Sequence, residues 1–155
     1  MSWQNEVNEL NRKKELARQM GGPEKVAQQH AKERLTARER VDCILDKESF
    51  REIGTLAGQA EYDETGDLKS FVPSSIITGY GQINYKTVCI MANDFTVKGG
   101  SSDSNAIMKQ EYIERMALER LMPLVCLYEG GGGRVTEGGG GAHHYANKLW
   151  VGCFN

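Results

Sequence analysis

Four consecutive glycines near residue 130 are the part of the sequence best suited to chemistry. The apolar run at 124–128 leads into Glu129, the glycines at 130–133 and then Arg134. Without Cβ atoms, successive backbone N–H groups can converge on one point, where they bind a phosphate, a carboxylate or the developing oxyanion of a carbonyl. The same composition is also typical of a linker or a tight turn. The glycines alone leave both interpretations open.

The other residue types that often carry out chemistry show no pattern of a metal or redox site. Four cysteines are scattered without a Cys-x-x-Cys pair: Cys43, Cys89, Cys126 and Cys153. Cys89 and Cys126 lie within apolar runs, which predicts buried thiols. His30 has no partner at metal-ligand spacing, and the adjacent His143 and His144 would point in different directions on a regular element. The sequence therefore predicts no metal in this chain.

The composition limits the class of protein. The chain has 155 residues, enough for one compact domain, with 19 basic and 21 acidic residues and a formal net charge of -2. This balance argues against nucleic acid or an anionic membrane as the main partner. The sequence has neither an apolar run of about 18 residues nor the basic and apolar regions of a secretion signal. We therefore expect a cytoplasmic protein, or one of the mitochondrial matrix in a eukaryote.

Residues 1–48 are predicted to form an amino-terminal helical segment. Helices are expected over residues 3–20 and 24–32, separated by Gly-Gly-Pro, and a third begins at a capping box formed by Thr36 and Glu39. The charges in this segment predict solvated helix faces or a subunit contact and not a ligand site. They are Arg34, Arg38, Glu39, Arg40 and Asp42.

Residues 49–155 are predicted to be mixed α and β. Strands are expected at residues 49–56, 75–84, 87–92 and 124–128. The second and third of these should form a hairpin, in which Gly79 and Gly81 indicate a bulge or the close approach of another backbone. Residues 58–69 are predicted to be a loop with a turn at 63–67. Ser102 or Asp103 is expected to cap a helix that runs to about residue 120.

Short motifs follow one another along the chain in an order that is more specific than any one of them. They are Leu-Thr-Ala-Arg-Glu-Arg at 35–40, Thr-Gly at 78–79, Asp-Phe-Thr-Val at 94–97, Gly-Gly-Ser at 99–101, Gly-Gly at 131–132 with Arg134, and Glu-Gly at 137–138. In this order they resemble the amino-terminal part of the carboxyltransferase (β) subunit of biotin-dependent acyl-CoA carboxylases. The carboxylases of this type act on propionyl-, methylcrotonyl- or acetyl-CoA.

The resemblance implies a fold and a reaction. The fold would be crotonase-like (ClpP/crotonase), an α/β superhelix of β-β-α units, here partial and preceded by the amino-terminal helices. The reaction would transfer a carboxyl group from carboxybiotin, held on a carrier protein, to the α-carbon of an acyl-CoA through an enolate. The implied partners are acyl-CoA, a biotin carboxylase or biotin carrier subunit, and further copies of this subunit. Backbone N–H groups would stabilise the enolate, so no nucleophile or metal is needed.

The resemblance also implies roles for residues at matching positions. Gly132 and Gly133 would supply the catalytic oxyanion donors, and Arg134 and Glu137 would support their loop. The acyl-CoA would contact residues on three segments: Gly99, Gly100, Ser101, Lys109 and Gly131. In this set, Lys109 would meet a phosphate of coenzyme A, a task that suits a point charge on a flexible stem.

Several features leave alternatives open. Lys98 stands where the family usually has an aromatic residue, and the glycine-rich stretch with two histidines at 138–144 is also a departure, so substrate choice stays open. The α subunit of a biotin-dependent acyl-CoA decarboxylase would use the same fold for the reverse transfer. A non-catalytic interaction domain is a further alternative. Because the chain is much shorter than such subunits, we expect residues 49–155 to be a truncated first part of the carboxyltransferase domain, inactive alone.

Overall fold

The computed structural model describes residues 3–130. Its helices are α1 (Gln4–Arg18), α2 (Pro23–His30), α3 (Ala37–Ile44) and α4 (Ser104–Glu119), and a short 3-10 helix spans Lys98–Gly100. Its strands are β1 (Arg51–Ile53), β2 (Gly58–Tyr62), β3 (Leu68–Pro73), β4 (Ile76–Ile83), β5 (Lys86–Asn93) and β6 (Leu124–Leu127). The mixed α and β composition confirms the predicted fold class, and β4, β5 and α4 follow one another as a β-β-α unit.

Four of these strands form one sheet in the order β1-β4-β5-β6. Strand β4 pairs antiparallel with both β1 and β5, which confirms the predicted hairpin, whereas β5 and β6 are parallel and joined through α4. In the β4–β5 hairpin the predicted close approach at Gly79 is present, since a Cβ there would lie 2.4 Å from the carbonyl oxygen of Arg51. Strands β2 and β3 pair with each other in a separate antiparallel ribbon.

The sheet is covered on both faces because side chains alternate along β5. Val88, Ile90 and Ala92 pack with α3, while Cys89 and Met91 pack with α4. The two clusters share this strand and no side chains. A central strand buried on both faces explains why β5 reads as a continuous apolar run.

The capping box that starts α3 is confirmed, and it orients the charges that follow. The Thr36 hydroxyl accepts a hydrogen bond from the Glu39 N–H, and the Glu39 carboxylate accepts one from the Thr36 N–H. Arg38 donates two hydrogen bonds to Glu52, and Arg40 donates to the carbonyl oxygen of Asn93 at the end of β5. The side chains of Arg38 and Arg40 are about one-fifth exposed, so the solvated-face alternative is wrong for these two residues, while a subunit contact stays a prediction.

Two predictions about the strands need correction. The predicted loop at residues 58–69 instead contains β2 and the beginning of β3, joined by the expected turn, where the Asp63 carboxylate accepts hydrogen bonds from the Thr65 and Asp67 N–H groups. Most of β2 is exposed, so it lacks the alternation that identifies a half-buried strand. The strand predicted at 49–56 is shorter, covering only Arg51–Ile53.

The turn of the β4–β5 hairpin places two residues in the left-handed region. Asn84 has a φ of 50° and Tyr85 a φ of 65°, which is the pattern of a type I′ turn. Asp46 holds this turn, since its carboxylate accepts hydrogen bonds from the N–H groups of both residues. Tyr85 is 90% exposed, so side-chain packing does not offset its backbone conformation.

We predict that Tyr85→Gly stabilises the protein by about 1 kcal/mol, because glycine adopts this conformation without a steric cost. Denaturant unfolding of the variant would measure the change. Tyr85→Ala is the matched control, since it also removes the ring but keeps the Cβ, and it should leave the free energy of unfolding near that of the natural protein. Equal stabilisation by both substitutions would mean that the ring and not the backbone is responsible.

Helix α4 buries a lysine in its core-facing stripe. Lys109 is 8% exposed, and its ammonium donates a hydrogen bond to the carbonyl oxygen of Ile76. The aliphatic part of the side chain packs against Gly54, where a Cβ would lie 3.2 Å from the lysine Cε. Burial lowers the pKa of Lys109 from 10.5 to about 8, with the Glu52 carboxylate opposing this shift.

The lowered pKa of Lys109 predicts a pH-dependent stability. Below about pH 8 the ammonium is charged in both states, and its burial costs free energy; between pH 8 and 10.5 the unfolded chain binds more protons, so stability rises with pH. Relative to Lys109→Met, the natural protein should therefore gain up to about 3 kcal/mol across this range. Denaturant unfolding at several pH values measures the difference. Lys47→Met, at an exposed position, should show no such trend.

Candidate functional site

The loops that leave β5 and β6 meet at one edge of the sheet. These strands are parallel, so both of their carboxyl ends lie at the same edge. Gly100 follows β5 and packs against the backbone that follows β6, where a Cβ on Gly100 would lie 2.4 Å from the carbonyl oxygen of Glu129. A Cβ on Gly130 would likewise lie 2.9 Å from the carbonyl oxygen of Gly100. The two backbones can approach this closely only because both positions are glycine.

Glu129 is the residue that fixes the second loop to the amino-terminal helices. One carboxylate oxygen accepts a hydrogen bond from Gln29 at 2.7 Å, and the other pairs with Arg40 at 2.8 Å. Arg34 adds a longer ion pair of 3.8 Å at the more exposed side. Since Arg40 also donates to the carbonyl oxygen of Asn93, one guanidinium joins the ends of β5 and β6. Helices α2 and α3 therefore hold the backbone immediately before the predicted oxyanion glycines.

The Asp-Phe-Thr-Val motif at 94–97 builds the loop that leaves β5. Asp94 is buried, and its carboxylate accepts hydrogen bonds from the Thr96 N–H and hydroxyl at 3.0 and 2.6 Å. Burial raises the pKa of Asp94, against the lowering effect of these hydrogen bonds and of two arginines. The Thr96 hydroxyl in turn accepts a hydrogen bond from the Gly21 N–H, which anchors the α1–α2 turn. Val97 is buried, whereas Phe95 is partly exposed.

The Gly-Gly-Ser segment forms a tight turn that is closed by its own hydrogen bonds. Lys98, Gly99 and Gly100 have φ values of 52°, 66° and 68°, so the backbone makes a tight left-handed turn. Within it, the Gly100 N–H donates to Val97. The Ser101 N–H and hydroxyl both donate to the Lys98 carbonyl oxygen, and the Ser101 carbonyl oxygen accepts from Ser75. Gly100 and Ser101 therefore hold the loop in place.

A cleft lies between α2 and this loop. Its volume is about 240 Å³, and it is lined by residues of two segments: Lys25, Gln28, Gln29 and Lys32 on one side, and Phe95, Thr96, Lys98 and Gly99 on the other. The lining contains three lysines and no carboxylate. Lys98 is fixed at the edge of the cleft, since its ammonium contacts Asp103 at 3.2 Å and Gln59 at 3.1 Å. The cleft is therefore a cationic surface with an aromatic wall.

The predicted site residues fall into three groups. Gly99, Gly100 and Ser101 lie in the loop after β5, where Gly100 contacts the backbone of the second loop at Glu129 and Gly130. Lys109 lies in the interior, where its ammonium donates a hydrogen bond to the Ile76 carbonyl oxygen. Its contact with a coenzyme A phosphate stays a prediction. The remaining predicted residues lie outside the described residues: Gly131, Gly132, Gly133, Arg134 and Glu137.

Sequence reasoning missed the residues that hold the junction. Glu129, Gln29 and Arg40 are 11 to 100 positions apart along the chain, and no spacing rule places them together. The only signal was a carboxylate next to the glycine run, together with the repeated charges at 34–40. Among residues 3–130, no group of three or more histidine, cysteine or acidic residues is arranged to hold a metal ion. Over the same residues, no helix is long and apolar enough to cross a membrane.

Comparison with known proteins identifies the family. The family model described as carboxyl transferase domain matches residues 28–147. The chain is 33% identical over 137 residues to the carboxyltransferase subunit of a propionyl-CoA carboxylase from Haloferax mediterranei, covering 88% of this chain. It is 31% identical over 134 residues to the methylmalonyl-CoA decarboxylase subunit alpha of Veillonella parvula, covering 86% of this chain.

A solved structure shares the fold. The transcarboxylase 12S hexamer with methylmalonyl-coenzyme A and methylmalonic acid bound matches with a TM-score of 0.75 and 31% identity, over 89% of this chain and 27% of that one. This chain spans about 27% of the Haloferax relative and 26% of the Veillonella relative. The family model, however, covers most of the 155 residues. Its match includes the capping-box motif, the β-β-α unit and the Gly-Gly-Ser segment at 99–101. The chain therefore belongs to the carboxyl transferase domain family.

Proposed function

We propose that this chain is the acyl-CoA side of the carboxyltransferase component of a biotin-dependent acyl-CoA carboxylase. The observation that carries the proposal is the contact between Gly100 and the Glu129–Gly130 backbone, with Glu129 held by two helices. Gly132 and Gly133 follow Gly130 with one residue, Gly131, between. A fixed starting point is what preorganised N–H donors need if they are to stabilise charge in a transition state without rearranging.

In the proposed reaction this part of the chain binds the thioester and stabilises its enolate. Loss of the α-proton places negative charge on the thioester oxygen, where the N–H groups of Gly132 and Gly133 would donate. Each such donor contributes about 3 to 4 kcal/mol in well-studied cases. Carboxybiotin on a carrier protein would release its carboxyl group as carbon dioxide, its ureido nitrogen would accept the α-proton, and the enolate would attack the carbon dioxide; we assign none of residues 3–130 to the biotin. Arg134 and Glu137 would support the glycine loop, and Gly131 would contact the acyl-CoA.

We propose further features of the complete protein on the same basis. It would work as an assembly of identical subunits with a biotin carboxylase or biotin carrier subunit, in the cytoplasm or the mitochondrial matrix. Support for an assembly comes from the transcarboxylase 12S relative, which is a hexamer. The reverse activity is not favoured, because propionyl-CoA carboxylase subunits from several organisms match this chain at 33 to 34% identity, against 31% for the decarboxylase subunit. A purely structural interaction domain is not favoured either, since the chain belongs to a carboxyl transferase family.

Transfer assays with the complete natural protein and its biotin carrier test the proposal. We expect carboxylation of at least one of acetyl-, propionyl- and methylcrotonyl-CoA in the presence of carboxylated carrier. If methylmalonyl-CoA or a related thioester is decarboxylated, and no acyl-CoA is carboxylated under any condition, the decarboxylase alternative is correct. If neither reaction occurs with an intact assembly, the proposed enzyme class is wrong.

We predict that Gly132→Val abolishes transfer in the complete protein while leaving it folded, because the side chain would occupy the space that the thioester oxygen needs. The measurements are initial transfer rates and a thermal unfolding curve. Gly66→Val is the control: Gly66 lies in the turn between β2 and β3, where a Cβ meets nothing within 4 Å, so valine there costs some stability through the φ of +88° but should leave the transfer rate unchanged. Transfer at the natural rate by the Gly132 variant would show that this loop is not the oxyanion site.

We predict that Glu129→Ala lowers the transfer rate at saturating acyl-CoA about tenfold or more, because the glycine loop loses its anchor and the oxyanion donors shift. Stability should fall by about 2 kcal/mol, since Arg40 and Gln29 lose their partner in a partly buried place. Initial rates and denaturant unfolding measure the two effects.

Glu119→Ala is the control for the Glu129 variant, because it removes an ion pair to Arg115 in which both side chains are 66% exposed. Its stability should change by less than about 0.5 kcal/mol and its transfer rate should not change. A Glu129 variant that loses stability but keeps its full transfer rate would reduce the role of Glu129 to folding.

A further inference from the structure

We infer that the interior of this fold binds one ordered water molecule, in a small cavity lined by Arg38, Ser74 and Asp94. The water accepts a hydrogen bond from the Arg38 Nε–H, donates one to the Asp94 carboxylate and forms a third with the Ser74 hydroxyl. It thereby links α3 to the connection between β3 and β4 and to the loop after β5. The inference concerns the interior of the protein and does not depend on the proposed function.

The size of the cavity selects a single water. The volume open to the centre of a water molecule is about 10 Å³. This is close to the least space that a buried water requires, and it is too little for a larger ligand. The polar lining is well enclosed, since Ser74 is 4% and Asp94 2% exposed. An occupant of this cavity is therefore held inside the protein and does not belong to its surface hydration.

Two polar groups of the lining need a hydrogen-bond partner. The Ser74 hydroxyl and the Arg38 Nε are buried, and neither has a partner among residues 3–130. Both terminal nitrogens of the Arg38 guanidinium donate to Glu52, which leaves the Nε–H as the remaining donor on that side chain. An unpaired buried polar group costs free energy, so such groups in folded proteins are nearly always paired with the protein or with ordered water. A water in the cavity can serve both groups.

Asp94 offers the acceptor that such a water also requires. The Thr96 N–H and hydroxyl both donate to the same oxygen of Asp94, so the other carboxylate oxygen can still accept. With Arg38 and Ser74, this gives the water three partners, the usual number for a buried water. Arg38 belongs to the capping-box motif and Asp94 to the Asp-Phe-Thr-Val motif. The water therefore connects two of the motifs on which the resemblance to the family rests.

The charges around the cavity favour an uncharged ligand over an ion. Its lining includes two basic residues, Arg38 and Lys109, and two acidic residues, Glu52 and Asp94. Arg38 and Glu52 form an ion pair of 2.8 Å, and the Lys109 ammonium donates to the carbonyl oxygen of Ile76. Since the positive and negative groups are equal in number, no net charge compensates the cost of burying a further ion. A neutral molecule that both donates and accepts fits this lining.

A crystal structure of the complete natural protein, at a resolution that shows ordered water, tests the inference directly. We expect density for one water within hydrogen-bonding distance of the Ser74 hydroxyl, the Arg38 Nε and the Asp94 carboxylate. A cavity without density, with these side chains bonded to one another, would overturn the inference. A peak with anomalous scattering, or with contacts too short for hydrogen bonds, would identify an ion and would overturn it as well.

Two substitutions at Ser74 test the inference in solution. Ser74→Thr and Ser74→Val add side chains of nearly equal size, so both share any strain from the extra methyl group, but only threonine keeps the hydroxyl. If the water is present, valine removes one of its partners, and the valine variant of the complete protein should unfold roughly 1 to 3 °C below the threonine variant. In a dry cavity, threonine would bury an unpaired hydroxyl. A valine variant at least as stable as the threonine variant would therefore contradict the inference.

The matched control is the same pair of substitutions at Ser70. This residue lies in β3, and its hydroxyl donates to Glu61 in an exposed pair that solvent can replace. Ser70→Thr and Ser70→Val should therefore unfold at nearly the same temperature. A difference as large as the one at Ser74 would count against the water, because it would show that the hydroxyl itself, and not its place in the cavity, sets the order of stability.

Discussion

The contact between two backbones at the carboxyl edge of the sheet is the constraint on which the rest of the structure depends. Parallel pairing of β5 and β6 brings their exits to the same edge, where Gly100 and Gly130 pass each other with no side chain between them. A Cβ at Gly100 would meet a backbone atom, which cannot rotate away as a flexible side chain would. The separation of the strand exits is therefore set by main-chain geometry, and the helices around it serve to preserve that geometry.

This constraint explains why the motifs that resemble the family contain few reactive groups. In the capping-box motif, Thr36 begins the helix that aims Arg38 and Arg40 inward. In the Asp-Phe-Thr-Val motif, Asp94 holds Thr96, which holds the α1–α2 turn. Each motif fixes one segment of main chain against another. The residues of these motifs hold the backbone that would take part in the reaction. They therefore identify the family, but their side chains do not reveal the mechanism.

The parts of the fold that were predictable are those that local chemistry decides. The capping box marked the start of α3, and two apolar runs around a short turn marked the β4–β5 hairpin. Strand β2 was missed because its exposed residues carry no alternation, and its pairing depends on the turn at Asp63. Sequence periodicity does not predict a strand that is stabilised by pairing with its neighbour and has no buried face of its own.

Lys109 shows a different limit of prediction from sequence, because its spacing and its residue type point to opposite locations. It lies on the same helical stripe as Ala106, Ile113 and Met116, which are all buried, so its spacing is that of an inward-facing residue. A lysine is so rarely buried that its charge favoured a role at the surface. Gly54 resolves the conflict, since the absence of a side chain there leaves room for the aliphatic stem. Such a match between a glycine and a lysine 55 positions apart is visible only in three dimensions.

The carboxylate of Glu129 fixes the backbone after β6 in a way that an apolar side chain could not. An apolar side chain at position 129 would bury more favourably, because an ion pair in a partly buried place gives up hydration for a modest net gain. An apolar side chain would not, however, fix the orientation of the backbone, because apolar contacts are not directional. The Glu129 carboxylate has one oxygen on Gln29 of α2 and the other on Arg40 of α3, so two helices fix both its position and its rotation. In the proposed site the backbone N–H donors must be aimed and not merely held nearby, so a directional anchor shortly before them would offset its lower contribution to stability.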